Sequence, residues 1–323
     1  MARYLVTGGA GFIGSNLVLA LLRAGERVRV VDNLATGFWE NLNDAPRGAS
    51  IERLTLDIRE PEALSSAMRG VEVVFHQAAL GSVPRSFENP VETDAVNVGG
   101  SVRVLDAARH AGVRRVIFAA SSAVYGDTEV LPKHESMPPA PLSPYAVSKL
   151  AGERYMAVFS SIYGIETLSL RYFNVFGPKQ RPDGAYAAAI PRFGWAALHG
   201  EPLTVHGDGE TTRDFCFVEN AVSANLLAAN AKRRFSGEVA NVATGSRVSL
   251  NALIAEIGRL LGHELNVIHG PPRQGDVRHS LADVARAGEL FGYEPKVDFK
   301  HGLLPTLEFL RELARSRGTP CSA

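Results

Sequence analysis

Cysteine is nearly absent from the 323-residue sequence, with Cys216 and Cys321 the only two. A disulfide framework and a cysteine-built zinc site are therefore excluded. Neither sign of charge dominates: 34 Lys and Arg balance 34 Asp and Glu, for a formal net charge of zero. A general nucleic-acid binder, which relies on a basic excess, is not expected, although one local anion site remains open. No apolar run approaches the roughly 18 residues of a membrane span. One long uncharged stretch, Ser136 to Ser148, is interrupted by Pro138, Pro139, Pro141 and Pro144. Met1 to Thr7 carries only Arg3 and runs straight into a glycine cluster, so no signal peptide is read. The nine histidines show no HExxH or other metal spacing, and repeats and low-complexity linkers are also missing. The expectation is a soluble cytoplasmic protein with neither a membrane nor a nucleic-acid partner.

What is there begins with alternation. Short β-rich runs at Arg3–Thr7, Arg27–Val31, Ile51–Leu56, Val71–Phe75 and Arg115–Ala120 alternate with helical patterns near Phe12–Ala24, Glu60–Met68 and Pro90–His110. Strands separated by helix-length segments predict βαβ units, and hence an α/β fold with a doubly wound parallel sheet of Rossmann type. Thr167–Tyr172 reads as a further strand, after which residues 174–220 turn Gly- and Pro-rich. Helices follow at 221–231, at Leu250–Leu261 with Ser249 as cap, and at Leu303–Arg315. At roughly 150 residues per domain, the length fits a nucleotide-binding domain over 1–175 and a smaller α/β substrate lobe over 176–323, with later segments interleaved.

Arg3–Thr7 leads into Gly8-Gly9-Ala10-Gly11-Phe12-Ile13-Gly14 and then a helix. Glycines permit the tight turn and let backbone N–H groups approach a pyrophosphate, while the helix N-terminus adds partial positive charge. Asp32 closes the second strand at the place where an acid hydrogen-bonds the adenine ribose. It would repel a 2′-phosphate, so NAD is favoured over NADP. Further along, Ser143 and Pro144 form a helix start that puts Tyr145 in the first turn and Lys149 one turn later on the same face. An ammonium and a positive helix end both favour phenolate, which makes a tyrosine a workable general base.

Together the glycine loop, Asp32, His76-Gln77-Ala78-Ala79, Asn97, Ser121-Ser122 and Tyr145…Lys149 resemble the extended short-chain dehydrogenase/reductases. More narrowly, the chain is similar to the NAD-dependent nucleotide-sugar epimerases of the UDP-galactose/UDP-N-acetylgalactosamine 4-epimerase group. The likeness runs from about residue 3 to 315. It is strengthened by Gly81-Ser82-Val83-Pro84-Arg85-Ser86, Arg171-Tyr172-Phe173-Asn174, Thr212-Arg213-Asp214-Phe215 and Arg273-Gln274-Gly275-Asp276.

The resemblance implies NAD held by Gly8, Gly11, Phe12, Ile13, Gly14, Asp32, Asn33, Asp57, Ile58, Gln77, Ala78, Ala79, Asn97, Tyr145, Lys149 and Tyr172. It implies Tyr145 as base, Lys149 as its ribose-binding partner, and Ser121, with Ser122 as fallback, as the hydroxyl on the reacting sugar oxygen. A UDP-sugar would be touched by Ser82, Ser121, Tyr145, Asn174, Val205, Arg213, Arg273, Asp276 and Ser280. Among these, the two arginines grip the diphosphate and Asp276 holds the uridine ribose. Ser280 matches a gate beside the sugar's C2 substituent, where a small residue admits an N-acetyl group, and Ser82 is read as an amide partner for that group. The implied reaction is reversible inversion at C4 through a 4-keto sugar and transient NADH, on UDP-GlcNAc/UDP-GalNAc with UDP-Glc/UDP-Gal also accepted. A homodimer through paired helices is implied as well.

Single positions separate the related chemistries. A sugar-nucleotide 4,6-dehydratase needs Asp-Glu where this chain has Ser122 and Ala123, and a UDP-glucuronate decarboxylase wants an acid at Ala123. UDP-glucuronate 4-epimerase stays open. A non-enzymatic NAD-responsive regulator conflicts with an intact Ser121, Tyr145 and Lys149. His76 is read as a packed sheet-end histidine, and Arg114-Arg115 and Lys232-Arg233-Arg234 as solvated clusters.

Overall fold

A computed structural model describes residues 2–183, 187–271 and 277–318 of the chain. Its first half alternates β1 (Tyr4–Thr7), α1 (Phe12–Arg23), β2 (Val28–Asp32), β3 (Ile51–Thr55), α2 (Pro61–Ala67) and β4 (Val73–His76). Then come α3 (Val83–Glu88), α4 (Pro90–Asp94), a π-helical segment (Ala95–Gly99), α5 (Gly100–His110) and β5 (Arg115–Ser121). A short 3-10 turn (Ser122–Tyr125) follows, and after it α6 (Pro144–Tyr163), β6 (Glu166–Tyr172) and β7 (Val175–Phe176). The second half carries α7 (Ala189–Leu198), β8 (Leu203–His206), β9 (Thr212–Arg213), β10 (Cys216–Phe217), α8 (Val218–Asn230) and β11 (Glu238–Val242). It closes with β12 (Val248–Ser249), α9 (Leu250–Leu261), β13 (Val267–Gly270), α10 (Ala285–Phe291) and α11 (Phe299–Ser316).

The predicted doubly wound sheet is present. Seven strands run in the order β11-β6-β5-β4-β1-β2-β3, every pairing parallel. Both faces are covered, which is why β1 is buried throughout rather than alternating. Tyr4 and Val6 enter one core with Val18, Phe75, Phe217 and the second-half helices. Leu5 enters the other, with Val104, Leu105, Met156 and Phe159 from α5 and α6. β11 joins the sheet edge beside β6, and α8 returns to pack on α1. The remaining strands make small two-stranded pairs, β7 with β10, β8 with β13 and β9 with β12, beside α7 and α9.

The expected helix over Pro90–His110 is continuous but widens into the π-helical segment, which turns Asn97 inward. The last helix starts at Phe299, capped by Asp298 through the His301 N–H, and it carries Pro305 inside it. Among the described residues, no helix is long and apolar enough to cross a membrane.

Arg115, expected to be solvated, is 1% exposed. Its guanidinium donates to the carbonyls of Ala228, Ala229 and Ala231 at the end of α8, and to Glu166. The three carbonyls lie more than one hundred positions away in the chain, so nothing near Arg115 in the sequence announces them. The reading of His76 holds: it is buried, between the Thr7 hydroxyl at 2.8 Å and the Ser101 hydroxyl at 2.9 Å.

Candidate active site

The sheet reverses its direction of winding between β1 and β4, and a crevice opens at the carboxyl ends of these strands. Gly8 leaves β1 at φ +67°, where a Cβ would stand 2.7 Å from the Ala78 nitrogen just past β4. A Cβ on Gly14 would run into the Gly8 carbonyl oxygen. Only glycines let this loop tuck against both neighbours. α1 begins at Phe12 with no side-chain cap, which leaves its first-turn N–H groups for an anion. Asp32 accepts from the Ala10 N–H at 2.9 Å and the Leu34 N–H at 2.8 Å, so it also braces the loop. Burial raises its pKa, and these backbone donors oppose the rise. Asn33 donates to Asp57 at 2.8 Å; mainly through Arg59, the Asp57 carboxyl is held at about 2.

The crevice is lined by Gly8, Gly11, Phe12, Ile13, Gly14, Asp32, Asn33, Asp57 and Ile58, and farther along by Gln77, Ala78, Ala79, Tyr145, Lys149 and Tyr172. Asn97 stands apart from the lining. It is 2% exposed, accepts from the Leu80 N–H at 2.8 Å, and donates to the Ser148 hydroxyl at 3.0 Å. It fastens the loop after β4 to α6 rather than facing the crevice. Sequence reasoning missed Thr36, Leu56, Arg59 and Arg85 on these walls. Arg59 was within reach, since it follows Asp57 in one turn and pairs with it at 2.8 Å.

α6 starts as its sequence dictates, with the Ser143 hydroxyl accepting from the Ala146 N–H at 3.1 Å and Pro144 at the first helical position. Tyr145 and Lys149 therefore face the crevice together. Ser121, at the end of β5, hydrogen-bonds Tyr145, and its hydroxyl also accepts from the Ala123 N–H. Ser122 begins the 3-10 turn, one residue further on. Lys149 donates from Nζ to the Ala119 carbonyl at 2.8 Å, and Nζ lies 5.9 Å from the Tyr145 ring centre. The expected lowering of the tyrosine pKa is not what the structure has. Burial raises it, with the Ser121 hydrogen bond acting in the opposite sense. Burial also pushes Lys149 down, to about 7, against the pull of Glu153.

A second cavity belongs to the second half of the chain. Asn174, at φ +33°, and Arg213 line it together with Ala189, Ile190, His206 and Phe215. Arg213 donates to the Thr212 and Arg278 carbonyls, which lock β9 to the segment leading to Ser280. The Ser280 N–H donates to the Thr212 carbonyl at 3.0 Å, and its side chain is buried. Val205 is fully buried in the core under this cavity, so its side chain packs and does not line the cavity. Ser82 caps α3, its hydroxyl accepting from the Arg85 N–H at 3.2 Å. Arg273 and Asp276 lie outside the described residues. Ala189 and Ile190 were missed because α7 itself was not expected.

The model of the NAD dependent epimerase/dehydratase family matches residues 4–243. The chain belongs to this family. Its cofactor is NAD, and the glycine cradle, the uncapped start of α1 and Asp32 fit a dinucleotide. Among relatives of this NAD-dependent epimerase, UDP-glucose 4-epimerase of Mycolicibacterium smegmatis is 40% identical over 96% of this chain and 98% of its own length. A solved UDP-N-acetylglucosamine 4-epimerase of Methanobrevibacter ruminantium, in complex with UDP-N-acetylmuramic acid, superposes with a TM-score of 0.91 at 37% identity, covering 97% and 99% of the two chains. A UDP-glucuronic acid 4-epimerase of Bacillus cereus, in complex with UDP-glucuronic acid and NAD, gives 0.89 at 30% identity over 96% and 99%.

Proposed function

We propose that the chain is a UDP-sugar 4-epimerase that interconverts UDP-GlcNAc and UDP-GalNAc and also accepts UDP-Glc and UDP-Gal. The observation that carries this function is the placement of Tyr145 and Lys149 on the wall of the dinucleotide crevice, with the Ser121 side chain acting on Tyr145. Tyr145 takes the proton of the sugar's 4-hydroxyl and later returns one to the same oxygen. Ser121 holds that oxygen by a hydrogen bond, and Lys149 favours the phenolate by its charge. NAD, when bound, supplies a hydride acceptor and then a donor, so C4 is oxidised and reduced in turn with no net redox change. Arg213 and Arg273 grip the diphosphate, where a guanidinium fork matches phosphate oxygens. Asn174 adds a contact near the diphosphate, and Asp276 holds the uridine ribose. Firm binding of the nucleotide with a loosely held sugar lets the 4-keto sugar turn and present its other face.

The relatives span plain, N-acetylated and uronic sugars, so the sugar is read from this chain's own residues. Ser280 is small, and its backbone is tied to Thr212, the residue before Arg213. An acetamido group cannot enter space that a phenol ring already fills, because packed pockets yield little. Ser280→Tyr is therefore expected to lose the N-acetyl reaction selectively while plain hexoses still turn over. Equal loss of both reactions, or no change, would remove Ser280 from the specificity.

The partner we propose beyond the substrate is a second copy of the chain, docked along α6. Val147, Val158 and Ile162 are 52%, 48% and 66% exposed on this helix, with Tyr155 between them. Apolar side chains at that spacing form a stripe on one helix face, a surface that an isolated chain would leave wet.

A further inference from the structure

Below the crevice lies an ion pair that the Tyr145–Lys149 motif does not include. We propose that Glu153, pinned by Arg171, is a positioning residue that keeps the Lys149 ammonium charged beside Tyr145. This inference rests on the roles proposed above for Tyr145 and Lys149.

Lys149 and Glu153 are one turn apart on α6, so they share a face. Both are buried, at 4% and 3% exposure. Lys149 Nζ reaches the Ala119 carbonyl at 2.8 Å and lies 5.0 Å from the Phe118 ring centre. Arg171 stands on β6 opposite Ala120 of β5. It grips Glu153 with both prongs, Nε to Oε1 and Nη2 to Oε2, each at 2.8 Å. The Tyr125 ring lies 4.6 Å from the guanidinium, and the Tyr125 hydroxyl is itself fixed by donating to Asn241 at 2.7 Å. Arg171 Nη1 is buried without a hydrogen-bond partner among the described residues.

A buried pair with an orphaned N–H is a poor device for stability, because apolar residues of similar volume commonly serve as well. Its charge is better explained by the neighbour it faces. Burial penalises the Lys149 ammonium, and Glu153 is the one charge among the described residues that acts against that penalty. The other titratable groups packed around Lys149 do not supply a negative charge. His76 of β4 is buried and neutral, its proton disfavoured by burial and then by Lys149 itself. Tyr145 is held in its phenol form by burial. Asn97 of the π-helical segment is uncharged, and Glu166 of β6 is engaged by Arg115. Without Glu153, Lys149 would lose its proton at a lower pH and favour the phenolate over a narrower range.

The test follows Lys149 by NMR of the ¹³Cε-lysine-labelled, NAD-containing enzyme, with Lys149→Met identifying the signal. A pH profile of kcat/KM is recorded beside it. Glu153→Gln is expected to lower the pH at which Lys149 deprotonates by about one pH unit or more. The high-pH loss of activity moves down with it, and kcat falls more than KM changes. The apolar double variant Glu153→Leu with Arg171→Met serves if the single one does not fold, and the same downward move is expected. Glu153→Asp keeps the charge and restores most of the titration. An unmoved Lys149 signal in either folded variant overturns the inference. So does a parent enzyme in which Lys149 is already neutral at pH 6. Normal turnover by Lys149→Met would instead sink the underlying role of the lysine, whatever Glu153 does.

Discussion

Tyr145 has to act as a base in surroundings that favour its protonated form, because burial raises its pKa, with the Ser121 hydrogen bond acting in the opposite sense. In the proposed reaction its hydroxyl is the only proton carrier at the reacting oxygen. Tyr145→Phe keeps the ring, its packing and the capped start of α6. Bound NAD and thermal stability are therefore expected to stay at parental levels while turnover falls at least about a hundredfold, the low end of a general-base contribution. Turnover within a few-fold of the parent would take Tyr145 out of the mechanism. At this scale the sequence was most informative where the chemistry is local. Gly8, Gly14 and Asp32 are marked by strand, turn and helix in succession, and each lies on the crevice wall. It was least informative where a side chain's partner is remote. Asn97 has the look of a cofactor ligand but braces Leu80 and Ser148, and Val205 next to a cavity points into the core.

Among the elements, α6 does two things at once. Its inner face carries Lys149 and Glu153 against β5 and β6, and its outer face exposes Val158 and Ile162. In the proposed dimer the outer apolar side chains of this helix are covered by the second copy. The parent chain is expected to have twice the mass of one chain in sedimentation equilibrium, and Val158→Glu with Ile162→Glu to have the mass of one. A parent of single-chain mass at micromolar concentration would contradict the proposed dimer. α6 was legible because Ser143, Pro144 and the following spacing are a local code for a helix start. α7 and β11 were not. Residues 174–220 are too rich in Gly and Pro to show a helical period, and five residues of β11 carry no signal until β6 is there to pair with.

The whole molecule ties its stability to groups that the sheet buries. His76 is enclosed between Thr7 and Ser101, and burial pushes its pKa down to about 3. Below an unfolded value of about 6.5 the unfolded chain binds a proton that the folded chain refuses. Stability present above that pH is therefore lost as the pH falls from 6.5 toward 3, at up to roughly 1.4 kcal/mol per pH unit. Between pH 6.5 and 5 few carboxylates titrate, so in urea unfolding over that window the difference between the parent and His76→Gln reports on this histidine. The parent is expected to weaken on acidification, and folded His76→Gln to show a flatter dependence. A parent equally stable at both ends of the window would contradict this assignment. The same enclosure shapes function, since the parallel sheet that buries His76 also opens its crevice at the reversal between β1 and β4.

Reversible inversion at C4 is the central claim, and proton NMR of the purified enzyme incubated with single UDP-sugars tests it most directly. UDP-GlcNAc is expected to yield UDP-GalNAc, and UDP-GalNAc to yield UDP-GlcNAc, each giving the same final mixture. The C4 proton signal should change between axial and equatorial patterns, with no NADH accumulating at 340 nm. Conversion of UDP-glucuronate alone would leave the 4-epimerase and overturn its substrate. An enzyme holding NAD that leaves every UDP-sugar unchanged, or that releases a dehydrated or decarboxylated product, would contradict the claim itself.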